Sequence, residues 1–332
     1  MKKEFCAGID VGGTKISSAL FTRDGAIAAR SKIPIDKAGG DAAAGQVAAA
    51  VAEMENLAVK NGGQLNAAAL CIPGVVYEKT GLVWAPNIPE WDHFPLGERI
   101  AAAGGKKARL PLFLESDRSA YVLGEQWLGA AKGAKDAVFL AVGTGIGAGI
   151  IAGGRVLHGA DDIAGAVGWF ALNPNFKDEY AAMGCFEAEA SGNSVGRKAA
   201  RALRAGRPTM MRALAGKDPG SVTAEIVAAA ARKRDFLAQH LIGETVTYLG
   251  MGIANIVSIL NPEIVVLGGG LFQASDLLLE PVRREFRRWA QPLAARAVRI
   301  EVSILGEDAG LVGCGKIAWD GVDKSVKTKK EA

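Results

Sequence analysis

The sequence predicts an α/β protein in which one glycine hairpin occurs twice. Three observations carry this. The apolar run Phe5-Cys6-Ala7-Gly8-Ile9 leads into Asp10-Val11-Gly12-Gly13-Thr14-Lys15, and a second apolar run over 16–21 follows. The apolar run over 137–142 leads into Gly143-Thr144-Gly145-Ile146-Gly147-Ala148-Gly149, then Ile150-Ile151 and a turn at Gly153-Gly154. Both read as strand, glycine turn, strand, which suggests an internal duplication. A third apolar run, Ile264-Val265-Val266-Leu267, ends in Gly268-Gly269-Gly270. Between these landmarks strand-like and helix-like segments alternate, the mark of a sheet with helices on both faces.

Taken in order, residues 1–117 read as the first hairpin, a helix over 42–60, a strand over 67–72, a loop, a helix over 96–103 and a strand over 112–115. A helix from 119 to 128 crosses into a second domain, which starts at 118 and runs to 309. There the second hairpin precedes a loop-rich stretch over 158–177. Residues 223–260 are Ala-rich and apolar-periodic, and should form two helices buried against the sheet. A strand over 264–267 and a helix over 281–289 follow. A last helix spans about 310–320, and the basic tail 321–332 is expected to be a frayed, disordered end.

The glycine turns suggest chemistry. Gly12 and Gly13 let backbone amides approach a phosphate, Thr14 adds a hydroxyl and Lys15 a positive charge. Asp10, at a strand end, is placed to hold a hydrated Mg2+. A tight hairpin alone could be a plain turn. A second turn at Gly143, Thr144 and Gly145, with the strand end Gly268, Gly269 and Gly270, fits a nucleotide held between two related domains. No GxxxxGK[ST] is present and no GxGxxG opens a helix near the start, which counts against P-loop and dinucleotide-binding folds.

In these segments and others the chain resembles the ROK family of sugar kinases, in the actin/hexokinase superfamily. The resemblance covers nearly the whole chain. It rests on the Asp10 hairpin, Ile72-Pro73-Gly74, Ala85-Pro86-Asn87-Ile88-Pro89-Glu90-Trp91, Leu114-Glu115-Ser116-Asp117, 142–149, 158–168, 184–192, 261–270 and Asp308-Ala309-Gly310-Leu311-Val312-Gly313. It implies two actin-like (ribonuclease H-like) domains with a nucleotide and sugar cleft between them, the last helix packing back on the first domain. It also implies ATP and Mg2+ as cofactors and a small sugar as substrate, most often phosphorylated at C6. Asp117, just past a strand end, matches the base that takes the proton from the attacking hydroxyl; a helix N-cap is the competing role for it. Gly74, Asn87, Ser116 and Glu187 match sugar contacts.

The departures from the family pattern are informative. Ser116 stands where the family has Asn before the catalytic Asp. The AGEIGH segment, which gives a Glu and a His to the sugar, reads Ala164-Gly165-Ala166-Val167-Gly168-Trp169 here. Ala166 and Trp169 therefore lack those polar contacts, and a sugar altered near C1 or C2, an amino, acyl-amino or deoxy sugar, suits the pocket better than plain glucose. The family's zinc loop keeps only Gly184-Cys185-Phe186-Glu187. One cysteine cannot complete a tetrahedral site, so no zinc is expected. Trp169, Phe170, Phe176, Tyr180 and Phe186 are expected to hold the loop as an aromatic cluster instead, unless Trp169 is a wall of the pocket.

Bulk properties agree with a globular enzyme. The chain has 332 residues, 49% of them hydrophobic and 22% charged, with a net charge of +4. No nucleic-acid partner, signal peptide or membrane span is expected. Cys6, Cys71, Cys185 and Cys314 are widely spaced and read as buried thiols in a reducing cytoplasm. A homodimer is expected. Two other classes compete. A ROK-type sugar-sensing regulator would need a helix-turn-helix before the Asp10 hairpin. A catalytically weakened sugar- or nucleotide-binding sensor would fit the altered pocket, though Asp10, Asp117 and the glycine turns argue for catalysis.

Overall fold

A computed structural model describes residues 3–104, 110–216 and 218–331. The chain divides into two units: Met1–Gly133 with Val156–Ala164 and Glu307–Ala332, and Ala134–Arg155 with Gly165–Gly306.

The first unit contains β1 (Lys3–Val11), β2 (Lys15–Phe21), β3 (Ile27–Pro34), α1 (Gly40–Lys60), β4 (Gly63–Ile72), β5 (Val75–Val76), β6 (Val83–Trp84), α2 (Leu96–Gly104), β7 (Leu112–Ser116) and α3 (Asp117–Leu128). The second contains β8 (Ala137–Val142), β9 (Ile146–Ala152), α4 (Asp178–Met183), α5 (Cys185–Ala190), α6 (Gly192–Arg204), α7 (Met211–Ala215), α8 (Ala224–Arg232), α9 (Phe236–Leu260), β11 (Ile264–Gly268), α10 (Ser275–Trp289), α11 (Pro292–Ala297) and β12 (Arg299–Val302). The edge strand β10 (Arg155–Val156) lies at the junction, and α12 (Ala309–Glu331) returns to the first unit.

The two sheets share one topology, which supports the duplication. The first runs β3-β2-β1-β4-β7 and the second β10-β9-β8-β11-β12. In each, a hairpin is extended by parallel strands. β1 pairs antiparallel with β2 and parallel with β4, and β8 pairs antiparallel with β9 and parallel with β11. The register sets Asp10 opposite Ser17 and Cys71.

Strand alternation decides what each face of the first sheet meets. Ile9, Val11, Leu70 and Ile72 pack with Val47 of α1 and Leu96 and Ile100 of α2. Cys6, Ala67, Ala69 and Cys71 face the other way, against Ala120 of α3 and Cys314 and Ala318 of α12. That second face is lined by small side chains because α12 comes very close. A Cβ on Gly8 would lie 2.8 Å from the Gly315 nitrogen, and one on Gly124 would lie 3.0 Å from the Gly313 nitrogen. A larger side chain at either glycine would push backbone against backbone.

Several expected boundaries move. α3 belongs wholly to the first unit, where it packs on α12, so the division falls after Gly133 and not at 117/118. The tail expected to be disordered continues α12 as far as Glu331, and Ala332 lies outside the described residues. α10 begins at Ser275, one and a half turns before the expected start, with Pro281 inside it. The stretch 223–260 forms the two expected helices, α8 and α9. By length and composition alone α9 could cross a membrane, which the sequence reading did not anticipate. However, 56% of its apolar window is buried in the second unit's core.

The expected aromatic cluster is only partly formed. Phe186 is fully buried and stacks on Phe170 with ring centroids 6.4 Å apart. A Cβ on Gly252 of α9 would strike the Phe186 ring, so the ring fills a slot on that helix. Tyr180 is buried in the second unit's core and meets the Phe176 ring edge-on at 5.9 Å, although Phe176 is 72% exposed. Trp169 is 57% exposed. Replacing Phe186 with Ala should therefore cost about 3–5 kcal/mol of unfolding free energy in urea titrations. A loss below about 1 kcal/mol would contradict the packing described.

Candidate functional site

In the first unit the α12 face of the sheet ends in two carboxylates. Asp10 closes β1, and its Oδ1 accepts a weak hydrogen bond from the Cys71 thiol at 3.4 Å. Gly310 at the start of α12 leaves room beside it, for a Cβ there would lie 3.2 Å from Asp10 Oδ2 and 3.0 Å from the Tyr121 ring. Asp117 is the first residue of α3. The N-cap role open to it in the sequence falls to Ser116, whose hydroxyl accepts from the Ser119 N–H at 3.3 Å. Ser116 is buried and also bonds the Ser119 hydroxyl at 3.0 Å, so its oxygen is occupied by the cap. The Asp117 carboxyl is held by the Arg118 backbone N–H at 2.8 Å and the Tyr121 hydroxyl at 3.3 Å.

Burial pushes the Asp117 carboxyl up to about 6, and the like charge of Asp10 adds to the rise. The Arg118 guanidinium, its backbone N–H and the Tyr121 hydroxyl oppose this. Asp10 is also raised, by burial first, against the Cys71 hydrogen bond and the Lys15 charge. Two half-buried carboxylates with hard oxygen donors suit a hydrated divalent cation such as Mg2+.

The first glycine turn lies next to this pair. The Gly12 N–H closes the hairpin on the Lys15 carbonyl at 2.9 Å. Gly13 packs on Asn87, where a Cβ would lie 3.1 Å from the Asn87 carbonyl. Thr14 is exposed, and Lys15 pairs with Glu307 at 3.0 Å on a well-solvated surface. Gly74 sits directly against the Trp84 carbonyl.

In the second unit, the Gly143 N–H bonds the Gly145 carbonyl at 2.9 Å, and the Gly192 N–H bonds the Gly143 carbonyl at 2.7 Å. A Cβ on Gly143 would lie 3.7 Å from the Gly270 nitrogen, so the turn at Gly143, Thr144 and Gly145 and the strand end Gly268, Gly269 and Gly270 are neighbours. Glu187 of α5 reaches this turn. Its Oε2 accepts from the Ile146 N–H at 2.8 Å, and Gly145 must lack a side chain because a Cβ would lie 2.6 Å from that oxygen. Burial raises the Glu187 carboxyl, while the Ile146 N–H and the Arg197 charge oppose it. Ala166 is half-buried and its carbonyl accepts from the N–H of the exposed Trp169 at 3.2 Å. Cys185 is buried, and no group of three His, Cys, Asp or Glu able to hold a metal occurs among the described residues, so the residues present do not fit a zinc site.

Four participants were missed in the sequence. Tyr121 looks like a core aromatic, and only the helical spacing of four from Asp117 hints at its contact. Arg118 sends Nη1 to the Ala164 carbonyl at 3.5 Å, and nothing nearby in sequence points to that. His158 and Glu115 form a pair at 2.9 Å that raises the imidazole above its usual range. Both were visible as isolated polar residues, but their meeting is a product of the fold.

These features define an α/β protein of duplicated hairpins with a half-buried carboxylate pair. A model of the ROK family matches residues 6–320, and the chain belongs to that family. It is 34% identical over 319 residues to a glucokinase of Halalkalibacterium halodurans, covering 95% of each chain. Among solved structures, a ROK hexokinase from Thermus thermophilus is 32% identical with a TM-score of 0.79, covering 96% of this chain and 99% of that one. A ROK glucokinase from Streptomyces griseus in complex with glucose and AMPPNP is 28% identical with a TM-score of 0.77, covering 96% and 100%. A ROK transcriptional regulator, a homologue of Escherichia coli Mlc, is 25% identical with a TM-score of 0.84, covering 97% of this chain and 79% of that one.

The carboxyl assignments can be checked directly. Carbon-13 NMR of the Asp117 carboxyl should show a titration near pH 6, well above an ordinary aspartate. Arg118→Gln should move it up, because a stabilising positive charge is lost, and Asp10→Asn should move it down. A wild-type midpoint near 4 would contradict the burial described.

Proposed function

We propose that this ROK protein is a carbohydrate kinase that transfers the γ-phosphoryl group of ATP to a hydroxyl, at C6, of a hexose or hexose derivative. The observation that carries the reading is Asp117. It opens α3 with its carboxyl left free of the capping role, in contact with Tyr121 and repelled by Asp10. A carboxylate whose protonation midpoint lies near 6 is largely ionised at neutral pH and still basic enough to take a hydroxyl proton. As the sugar oxygen attacks, Asp117 receives its proton, while Tyr121 and the Arg118 N–H keep the carboxyl oriented.

Gly12, Gly13, Thr14 and Lys15, like Gly143, Thr144 and Gly145, would contact phosphates, with Gly268, Gly269 and Gly270 for the adenosine. Lys15 can leave Glu307 for phosphate at little cost, since solvated ion pairs are worth about 0–1 kcal/mol. Asp10 would hold Mg2+ through water, and the ion would neutralise charge on the phosphates. Glu187 has one oxygen on the Ile146 N–H. Its other oxygen is available to a sugar hydroxyl, alongside Gly74 and Asn87. Ser116 contributes through the cap of α3, not through a free hydroxyl.

Ala166 and Trp169 argue for a less polar acceptor than glucose, because hydroxyls facing them would lose hydrogen-bond partners. The named glucokinase relative argues for a hexose. A hexose derivative modified near C1 or C2 satisfies both. The buried free cysteines accord with a cytoplasmic enzyme. The reading takes a homodimer with no nucleic-acid or membrane partner. A sugar sensor without catalysis is the second reading, favoured by the likeness to the Mlc homologue and by the apolar changes at Ala166 and Trp169.

ADP release with ATP, Mg2+ and a panel of hexoses, amino hexoses and acyl-amino hexoses separates the two readings. Sugar-dependent turnover is expected, with an acid limb near pH 6 because activity is lost as Asp117 becomes protonated. Asp117→Asn should lower turnover at least about 100-fold while nucleotide still binds. Saturable sugar binding with no turnover on any member would favour the sensor.

A further inference from the structure

Two residues beyond Glu187 on α5 lies a second carboxylate with a different setting. The Glu189 side chain is only 3% exposed. Its Oε1 accepts from the Lys177 ammonium and from the Tyr180 hydroxyl. Its Oε2 pairs with the Lys198 ammonium at 2.8 Å, and Lys198 also donates to the Glu189 backbone carbonyl at 3.0 Å. Further polar groups extend the cluster. Asn173 donates to the hydroxyls of Tyr180 at 3.0 Å and Tyr248 at 3.3 Å, and Lys198 lies 3.5 Å from Glu244. The two ammonium groups also stand over aromatic rings, Lys177 over Tyr180 and Lys198 over Tyr248.

One carboxylate thus ties together the loop before α4, α4 itself, α5, α6 and, through Tyr248 and Glu244, α9. Burial alone would raise the Glu189 carboxyl, but hydrogen bonds from Lys177, Lys198 and Tyr180 outweigh it and hold it at about 2. It is therefore ionised, and each arm answers part of a buried charge. Removing a partner from such a site leaves a charge uncompensated, which costs far more than losing a solvated pair.

This is the stretch in which the family resemblance implies a zinc-held loop, and here the residues do not fit zinc. We infer that Glu189, with Lys177, Tyr180 and Lys198, forms a metal-free clasp that fixes the 170–184 loop and α5 and so positions Glu187 toward the acceptor. The inference rests on the proposed sugar contact of Glu187 for its effect on activity, but the clasp itself does not. Glu189 is a positioning residue, since its oxygens are engaged by protein donors and not by substrate. Phe186, Phe170 and Tyr180 add apolar packing to the clasp.

Glu189→Gln keeps the size of the side chain and removes its charge. Hydrogen exchange over 170–190, followed by mass spectrometry, should speed up by at least about tenfold in this variant, since hydrogen bonds to charged groups are among the stronger ones. Wild-type exchange there should be unchanged by a strong chelator once Mg2+ is resupplied. In kinetics the hexose KM should rise about tenfold or more, with the ATP KM unchanged and kcat falling much less. Lys198→Met removes one arm and leaves two, and should show the same pattern more weakly if Glu189→Gln fails to fold. Wild-type exchange in both variants, or loop opening on chelation, would overturn the clasp. If the wild-type protein phosphorylates no sugar, the kinase reading fails while the exchange data still decide the clasp.

Discussion

The close approach of α12 to β1 governs the carboxylate end of the first unit. Cys6, Gly8, Ala67, Ala69 and Cys71 make one sheet face nearly flat, and Gly310, Gly313, Cys314 and Gly315 present an equally small surface on the helix. Backbones can then pack almost directly, and α3 joins them through Ala120 and Gly124. Asp10 and Asp117 sit at the end of this seam, on the same face of the sheet, because strand alternation puts Asp10 in phase with Cys6 and Gly8.

Burial then gives each acidic group its character. Loss of solvent raises both Asp10 and Asp117, and the charge of Asp10 raises Asp117 further. Neutralisation by a cation and by a migrating proton is what such a pair invites. In the second unit, Glu187 and Glu189 lie on the same short helix with opposite outcomes. Glu187 meets one backbone N–H and is raised, whereas Glu189 meets two ammonium groups and a phenol and is lowered. Donor count separates the carboxylate with one backbone partner from the one engaged by three side chains.

Much of this was legible in the sequence, and the reasons are local. The two hairpins and the third glycine strand end are written in contiguous residues, so periodicity and turn chemistry locate them and the duplicated sheets follow. The Asp117 segment was readable in the same way, although which of Ser116 and Asp117 caps α3 needed coordinates, since both residue types cap helices well. Residues that meet across long separations were not legible. Cys71 with Asp10, Gly310 with Tyr121, Glu115 with His158 and Lys177 with Lys198 are joined only by the fold. The aromatic cluster formed only in part for a related reason: composition counts rings but does not say which the fold covers. Phe186 and Tyr180 are buried, whereas Trp169 and Phe176 are mostly exposed.

The role proposed for Asp117 depends on what its carboxyl touches when the substrates are bound. A crystal structure with a phosphorylatable hexose, Mg2+ and a non-hydrolysable ATP analogue measures it. The account predicts an Asp117 oxygen about 2.6–3.2 Å from the sugar hydroxyl that receives phosphate, the distance a base requires. A sugar bound with that hydroxyl against another group, and Asp117 facing only protein, would contradict it.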